Sequence, residues 1–127
     1  MENKENVQPQ YEFTVDQNKL FASMGKKTGV ISFLFFGFAV LTLAGIALSL
    51  NKLTISNMVF DGVLFVVFAS IGRFNRKVSA DFEKIVKTEG NDVALLMEAI
   101  ASLKKLYTVQ IWMFGVVFAL AVLALMA

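Results

Sequence analysis

The chain has 127 residues, 57% of them apolar, and a mean hydropathy of +0.65, which makes it a single unit with too little polar surface for a water-soluble fold. Its 12 basic and 10 acidic residues leave a net charge of +2, and the basic ones gather at the edges of apolar runs instead of forming the continuous patch a nucleic-acid partner requires. With no cysteine and no histidine, disulfides, thiolate nucleophiles, imidazole acid–base chemistry and most transition-metal sites are excluded.

No Asp/Glu cluster is dense enough for a Mg²⁺ or Ca²⁺ cage. No catalytic constellation, cofactor site or metal site is therefore expected, and the chain does not read as an enzyme. Residues 1–10 (MENKENVQPQ) are polar and hold the only proline. They bury too little apolar surface to offset ordering entropy, so residues 1–15 are expected as a flexible tail before a helical membrane unit at 16–127. Alternation over Tyr11–Val15 suggests an extended segment docking on another part of the chain. Asp16 has the character of a helix N-cap, with Val15 and Leu20 at staple positions. A short helix at the membrane surface then puts Leu20, Phe21 and Met24 on one face, and Gly25 or Gly29 bends it into the first span.

Gly25-Lys26-Lys27-Thr28 echoes the end of a phosphate-binding loop, but no strand precedes it and the first glycine is missing. The leader carries Glu2, Glu5, Glu12 and Asp16, unlike the short basic leader of a cleaved signal, so the first span is expected to be retained.

Residues 30–50 hold no charge and make about 30 Å of helix, enough to cross a bilayer. Gly37 and Ala44 fall on one stripe, and Gly45 and Ser49 form a small-xxx-small pair that lets helices approach closely in lipid. The connection at 51–57 joins neighbouring antiparallel helices.

The second span, 55–74, is interrupted by Asp61. Nine apolar residues, Val59 to Ile71, contribute about −3 to −5 kcal/mol together, against about +2.5 to +3.5 for a central Asp, so insertion is favoured narrowly. Asp61 has three readings. It is hydrated near the outer interface or paired with Lys52 across the connection, or it makes a polar helix–helix contact, or it is an ion or proton site. The first is the simplest. A pore would need more polar lining than Ser32, Thr42, Ser49, Thr108 and Gln110 supply.

Residues 73–106 hold two arms of equal length around Thr88-Glu89-Gly90-Asn91, with Gly90 ending one helix and Asn91 or Asp92 capping the next. Phe74, Val78, Phe82, Ile85 and Val86 stripe the first arm, and Val93, Leu96, Met97, Ile100, Leu103 and Tyr107 the second. Glu83 and Lys87 form an i,i+4 pair. An antiparallel hairpin continuous with spans two and three accounts for both stripes; the rival lays 73–87 flat on the membrane.

The third span, 107–127, carries Tyr107 and Trp112 near its first end and a Gly115/Ala119 small pair. Lys26, Lys27, Arg73, Arg76, Lys77, Lys104 and Lys105 all flank the spans on one side, where they set topology and meet anionic lipid. Lys52 alone lies opposite. The expected fold is all-α: three transmembrane helices with a cytoplasmic helical hairpin joining spans two and three, N-terminus cytoplasmic and C-terminus outside.

The passage Leu95-Leu96-Met97-Glu98-Ala99-Ile100-Ala101-Ser102-Leu103-Lys104-Lys105-Leu106 into the last span resembles small uncharacterised bacterial multi-span membrane proteins grouped as a domain of unknown function. The resemblance covers the last third of the chain and the arrangement of the spans. It implies a bacterial, inner-membrane setting and brings no activity or site residues. The expected role is a non-enzymatic accessory or scaffolding subunit of a larger membrane complex, with the lipid bilayer and other membrane subunits or further copies as partners. The alternative is a small homo-oligomeric ion or proton channel or transporter using Asp61, a holin-like permeabilising protein being a variant of it.

Overall fold

The computed structural model describes residues 11–52 and 54–126. Three helices account for nearly all of them: α1 (Val15–Ser49), α2 (Ile55–Lys87) and α3 (Asp92–Met126). Each is long and apolar enough to cross a membrane. α2 is central, packing on α1 along one side and on α3 along another, while α1 and α3 do not pack on each other.

α1 differs from the sequence expectation. There is no separate surface helix and no break at Gly25 or Gly29; one helix runs 35 residues from Val15 to Ser49. Its N-cap is Thr14, not Asp16. Thr14 Oγ1 accepts from the Gln17 N–H at 3.3 Å, and the Gln17 side chain accepts from the Thr14 N–H at 2.8 Å, a reciprocal capping box. The expected staple does not form, because Val15 and Leu20 are both exposed. Of the expected surface face, Leu20 and Met24 point outward and Phe21 packs inward on Phe82, with ring centroids 6.2 Å apart. Residues 1–10 of the expected tail lie outside the described residues. Residues 11–14 lie outside any helix or strand, with Thr14 itself extended, and Val15 already belongs to α1.

α2 begins where the insertion argument requires, at Ile55, with Thr54 Oγ1 accepting from the Asn57 N–H. It ends at Lys87, where the Thr88 hydroxyl donates to the Lys84 carbonyl. Gly90 (φ 76°) and Asn91 (φ 57°) then take left-handed conformations that reverse the chain. The helical hairpin is antiparallel. Its arms are the ends of α2 and α3 themselves, as the paired stripes imply. Val78, Ile85, Ala99 and Leu106 are buried between them, and Phe82 faces Phe21.

The buried core, from Val67 to Leu106, lies mostly at the hairpin end. α1 continues past its apolar stretch beside α2 there, so the hairpin is one part of a three-helix head. Beyond it the apolar halves of α1 and α3 are mostly exposed within the chain.

Candidate functional site

The head is tied together by small and polar residues that periodicity alone passes over. On the α1–α2 seam, Ser32 Oγ donates to the Gly72 carbonyl at 2.8 Å and Ser79 Oγ to the Gly25 carbonyl at 2.7 Å. Each such bond contributes about 1 kcal/mol net. The two backbones approach so closely that a Cβ on Gly25 would lie 3.3 Å from the Ser79 carbonyl oxygen, and one on Gly72 would lie 3.3 Å from both the Phe36 ring and the Ser32 carbonyl oxygen. The echo of a phosphate loop is resolved by this seam. Gly25 is buried against α2, and the Thr28 hydroxyl turns back to the Met24 carbonyl at 2.8 Å. Gly25 and Gly29 form the small-xxx-small pair that packs, a pattern visible in the sequence but outside the apolar run.

The α2–α3 seam carries a charged clamp. Asp81 is 3% exposed, and its Oδ2 accepts from Ser102 Oγ at 2.5 Å and from Lys77 Nζ at 2.9 Å. Lys77 Nζ also reaches Ser102 Oγ at 3.1 Å. Lys84 Nζ stands 3.7 Å from Asp81 Oδ1 and 3.6 Å from Glu98 Oε1, joining the two helices again. Burial pushes the Asp81 carboxyl up, but the Ser102 and Lys77 hydrogen bonds and the charges of Lys77 and Lys84 outweigh it and hold the group below its ordinary value. Asp81 thus stays ionised and fixes helix register. Lys77, expected as a topology-setting flank, spends its charge on this clamp.

The N-terminal approach is latched to the hairpin turn. The Phe13 N–H donates to Asp92 Oδ2 at 2.6 Å, and Phe13 packs on Phe21 with centroids 4.9 Å apart. Asp92 therefore does not cap α3 with its side chain; it holds residue 13 instead. Its other oxygen, Oδ1, is buried without a partner among the described residues.

The expected site residues fall into three groups. Asp61 is half-buried, and it makes neither an ion pair with Lys52 nor a hydrogen bond among the described residues. The expected Lys52–Asp61 contact is therefore absent. Lys52 sits in the turn after α1, while Asp61 lies about 9 Å into α2. Asp61, Phe68, Gly72 and Ser79 share one helical face of α2 at spacings of seven, four and seven, and Phe68 packs on Phe35 and Phe38 of α1. That is the α1-facing side.

The expected packing residues do not pack on one another or on a neighbouring helix among the described residues. A Cβ on Gly37, Gly45 or Gly115 meets nothing within 4 Å, and Ala44, Ser49 and Ala119 are exposed. The seam within the chain uses Gly25, Gly29, Ser32, Gly72 and Ser79 instead, because α1 meets α2 most closely at the head. The remaining cations Lys26, Lys27, Arg73, Arg76, Lys104 and Lys105 are exposed, and none takes part in an ion pair among the described residues.

Between the apolar halves of α2 and α3 lies an open groove of 490 Å³, lined by Val59, Gly62, Val66, Trp112, Met113 and Val116 among others. No group of three metal-ligating side chains occurs among the described residues. Comparison with known protein families, curated proteins and solved structures gives no match.

Proposed function

We propose that the protein is a non-enzymatic assembly subunit of a larger membrane complex, presenting bare helix faces inside the bilayer and a rigid helical head outside it. One observation carries this reading. Gly37, Gly45 and Gly115 lie in the apolar parts of α1 and α3, yet a side chain at any of them would meet open space. Glycine in a helix interior costs about 1 kcal/mol relative to alanine, and no packing among the described residues offsets that. Close approach by a helix from another chain offsets it. The head supports the same reading, because Asp81, Ser32 and Ser79 lock all three helices into one register and so fix the angle of the faces offered.

The basic flanks orient the assembly. Lys26, Lys27, Arg73, Arg76, Lys104 and Lys105 support a cytoplasmic N-terminus and head with the C-terminal end of α3 opposite, and the resemblance of residues 95–106 suggests a bacterial inner membrane. Purification in mild detergent followed by native mass measurement tests the proposal. The expected result is a complex heavier than one chain, which Gly37→Leu and Gly115→Leu weaken without altering the head. A chain that is always monomeric and alone refutes it.

A second reading rests on Asp61, a half-buried carboxylate on the α1-facing side of α2 with no partner among the described residues. In this reading copies of the chain assemble around that carboxylate to pass a proton or cation. Proteoliposome flux abolished by Asp61→Asn supports it, and flux that is absent or unchanged removes it.

A further inference from the structure

The groove between α2 and α3 runs toward two of the exposed cations, Arg73 and Lys105, which lie about two helical turns past its lining, and its shape together with their charge suits one kind of molecule. On α2, Gly62, Val66 and Arg73 are spaced four and seven apart, so they fall on one face of the helix. On α3, Lys105, Trp112 and Val116 are spaced seven and four apart and also share a face. Four of these six, Gly62, Val66, Trp112 and Val116, line the groove. Arg73 and Lys105 therefore continue its two walls, two helical turns beyond Val66 and Trp112, toward the head.

The antiparallel register puts them at one level. Lys77 meets Ser102 at 3.1 Å and Lys84 meets Glu98 at 3.6 Å, so Arg73 stands opposite a point within about one turn of Lys105. Both are exposed, and neither is neutralised by a carboxylate among the described residues. From Arg73 to Gly62 is about 16 Å of helix. Half of the ~30 Å core that the 55–74 span crosses is about 15 Å, so this stretch matches the leaflet next to the head.

We propose that this is a binding site for an anionic phospholipid of the leaflet next to the head. Its phosphate lies between Arg73 and Lys105, and an acyl chain runs past Val66 and Trp112 and fills the space beside Gly62. The two cations supply the headgroup preference, at about 1 kcal/mol each. The groove supplies the seat, which a basic flank alone lacks. The site rests on the placement of α2 and α3 in a bilayer and is independent of whether further subunits join.

Trp112 is the only tryptophan and lines the groove, so its fluorescence reports on the site directly. The full chain is reconstituted in vesicles containing phosphatidylglycerol or phosphatidylcholine with brominated acyl chains, and quenching of Trp112 is measured in mixtures of the two. Phosphatidylglycerol is expected to compete for the quenching position about 30-fold better than phosphatidylcholine, the factor that about 2 kcal/mol gives. Arg73→Gln and Lys105→Gln each lower the preference about fivefold, and together they abolish it. Gly62→Phe extends into open space, so the head and both helices stay intact while quenching by either lipid falls. Equal competition by the two lipids in the unaltered chain overturns the site, as does a preference that survives the double substitution. Quenching by neither lipid overturns the bilayer placement of the two helices, and the site with it.

Discussion

Replacing Asp81 by alanine tests whether the buried clamp, and not apolar burial alone, fixes α3 against α2. The carboxylate is 3% exposed and accepts a 2.5 Å bond from Ser102. A hydrogen bond to a charged group contributes about 1.5–3 kcal/mol, and its loss leaves the buried Ser102 hydroxyl without an acceptor. The Lys77 and Lys84 side chains are 55% and 54% exposed, so water takes over from Asp81 at little cost, below about 1 kcal/mol for each. Asp81→Ala should therefore destabilise the chain by about 2–4 kcal/mol, while Lys77→Ala costs less than about 1. Ser102→Ala should cost about 1.5–3 kcal/mol, and the double variant should fall short of the sum by about 1.5–2, since the two changes remove the same bond. The assay is reversible unfolding in mixed micelles with a rising fraction of denaturing detergent, followed by far-UV circular dichroism. Equal losses for Asp81→Ala and Lys77→Ala, or strict additivity of Asp81→Ala and Ser102→Ala, would refute the reasoning.

The same clamp sets an acid dependence. The folded carboxyl of Asp81 titrates below its ordinary value of 3.8, so its contribution is complete above 3.8 and is lost as pH falls from there through the folded value. The gap in stability between the unaltered chain and Asp81→Asn should be constant near neutrality and narrow only below 3.8; a gap that narrows between pH ~5 and ~8, the histidine range, contradicts the assignment. The absence of cysteine makes the α1–α2 seam testable by cross-linking, because a Cβ on Gly29 lies 3.9 Å from the Ser79 Cβ, inside the range for a disulfide. The pair Gly29→Cys and Ser79→Cys should oxidise to an intramolecular disulfide visible as a shift in gel mobility, whereas Gly37→Cys with Ser79→Cys should not. Gly72→Leu, which meets the Phe36 ring and the Ser32 carbonyl, should lower the thermal midpoint in detergent by the equivalent of about 1–3 kcal/mol, and Gly37→Leu should leave it in place. Asp92→Ala should free the segment around Phe13 and speed its cleavage by protease, while Asp92→Asn, which keeps an acceptor oxygen for the Phe13 N–H, should protect it; equal cleavage of both variants would show that the latch is not the Asp92 bond.

The helical class, the three apolar helices, the start of α2 at Ile55 and the reversal at Thr88–Asn91 follow from local signals in the sequence. Long charge-free runs and a glycine after a helical stripe act through the backbone and nearest neighbours, so the sequence is enough to reveal them; the caps at Thr14 and Thr54 are equally local, but the expected first cap was Asp16. The same holds for the Glu83–Lys87 pair, which needs only one helical turn. Which face of each helix meets which neighbour depends on register between segments far apart in the chain, and that is where the sequence reading went astray. Small residues at helical spacing occur throughout α1 and again in α3, at Gly37, Gly45 and Gly115 as well as at Gly25 and Gly29, and nothing local separates those that meet a backbone from those that meet open space. The α1–α2 crossing decided it, since Ser79 and Gly72 face Gly25 and Ser32 only when α1 runs unbroken past Gly29. Nothing local marks Asp81, because its burial depends on Ser102, 21 residues away on another helix. Lys52 and Asp61, near each other in the sequence, proved separate because the helix carries one away from the turn that holds the other. Local chemistry made the helices; long-range packing chose which of their polar and small residues hold the head together and which remain on the bare faces and in the groove.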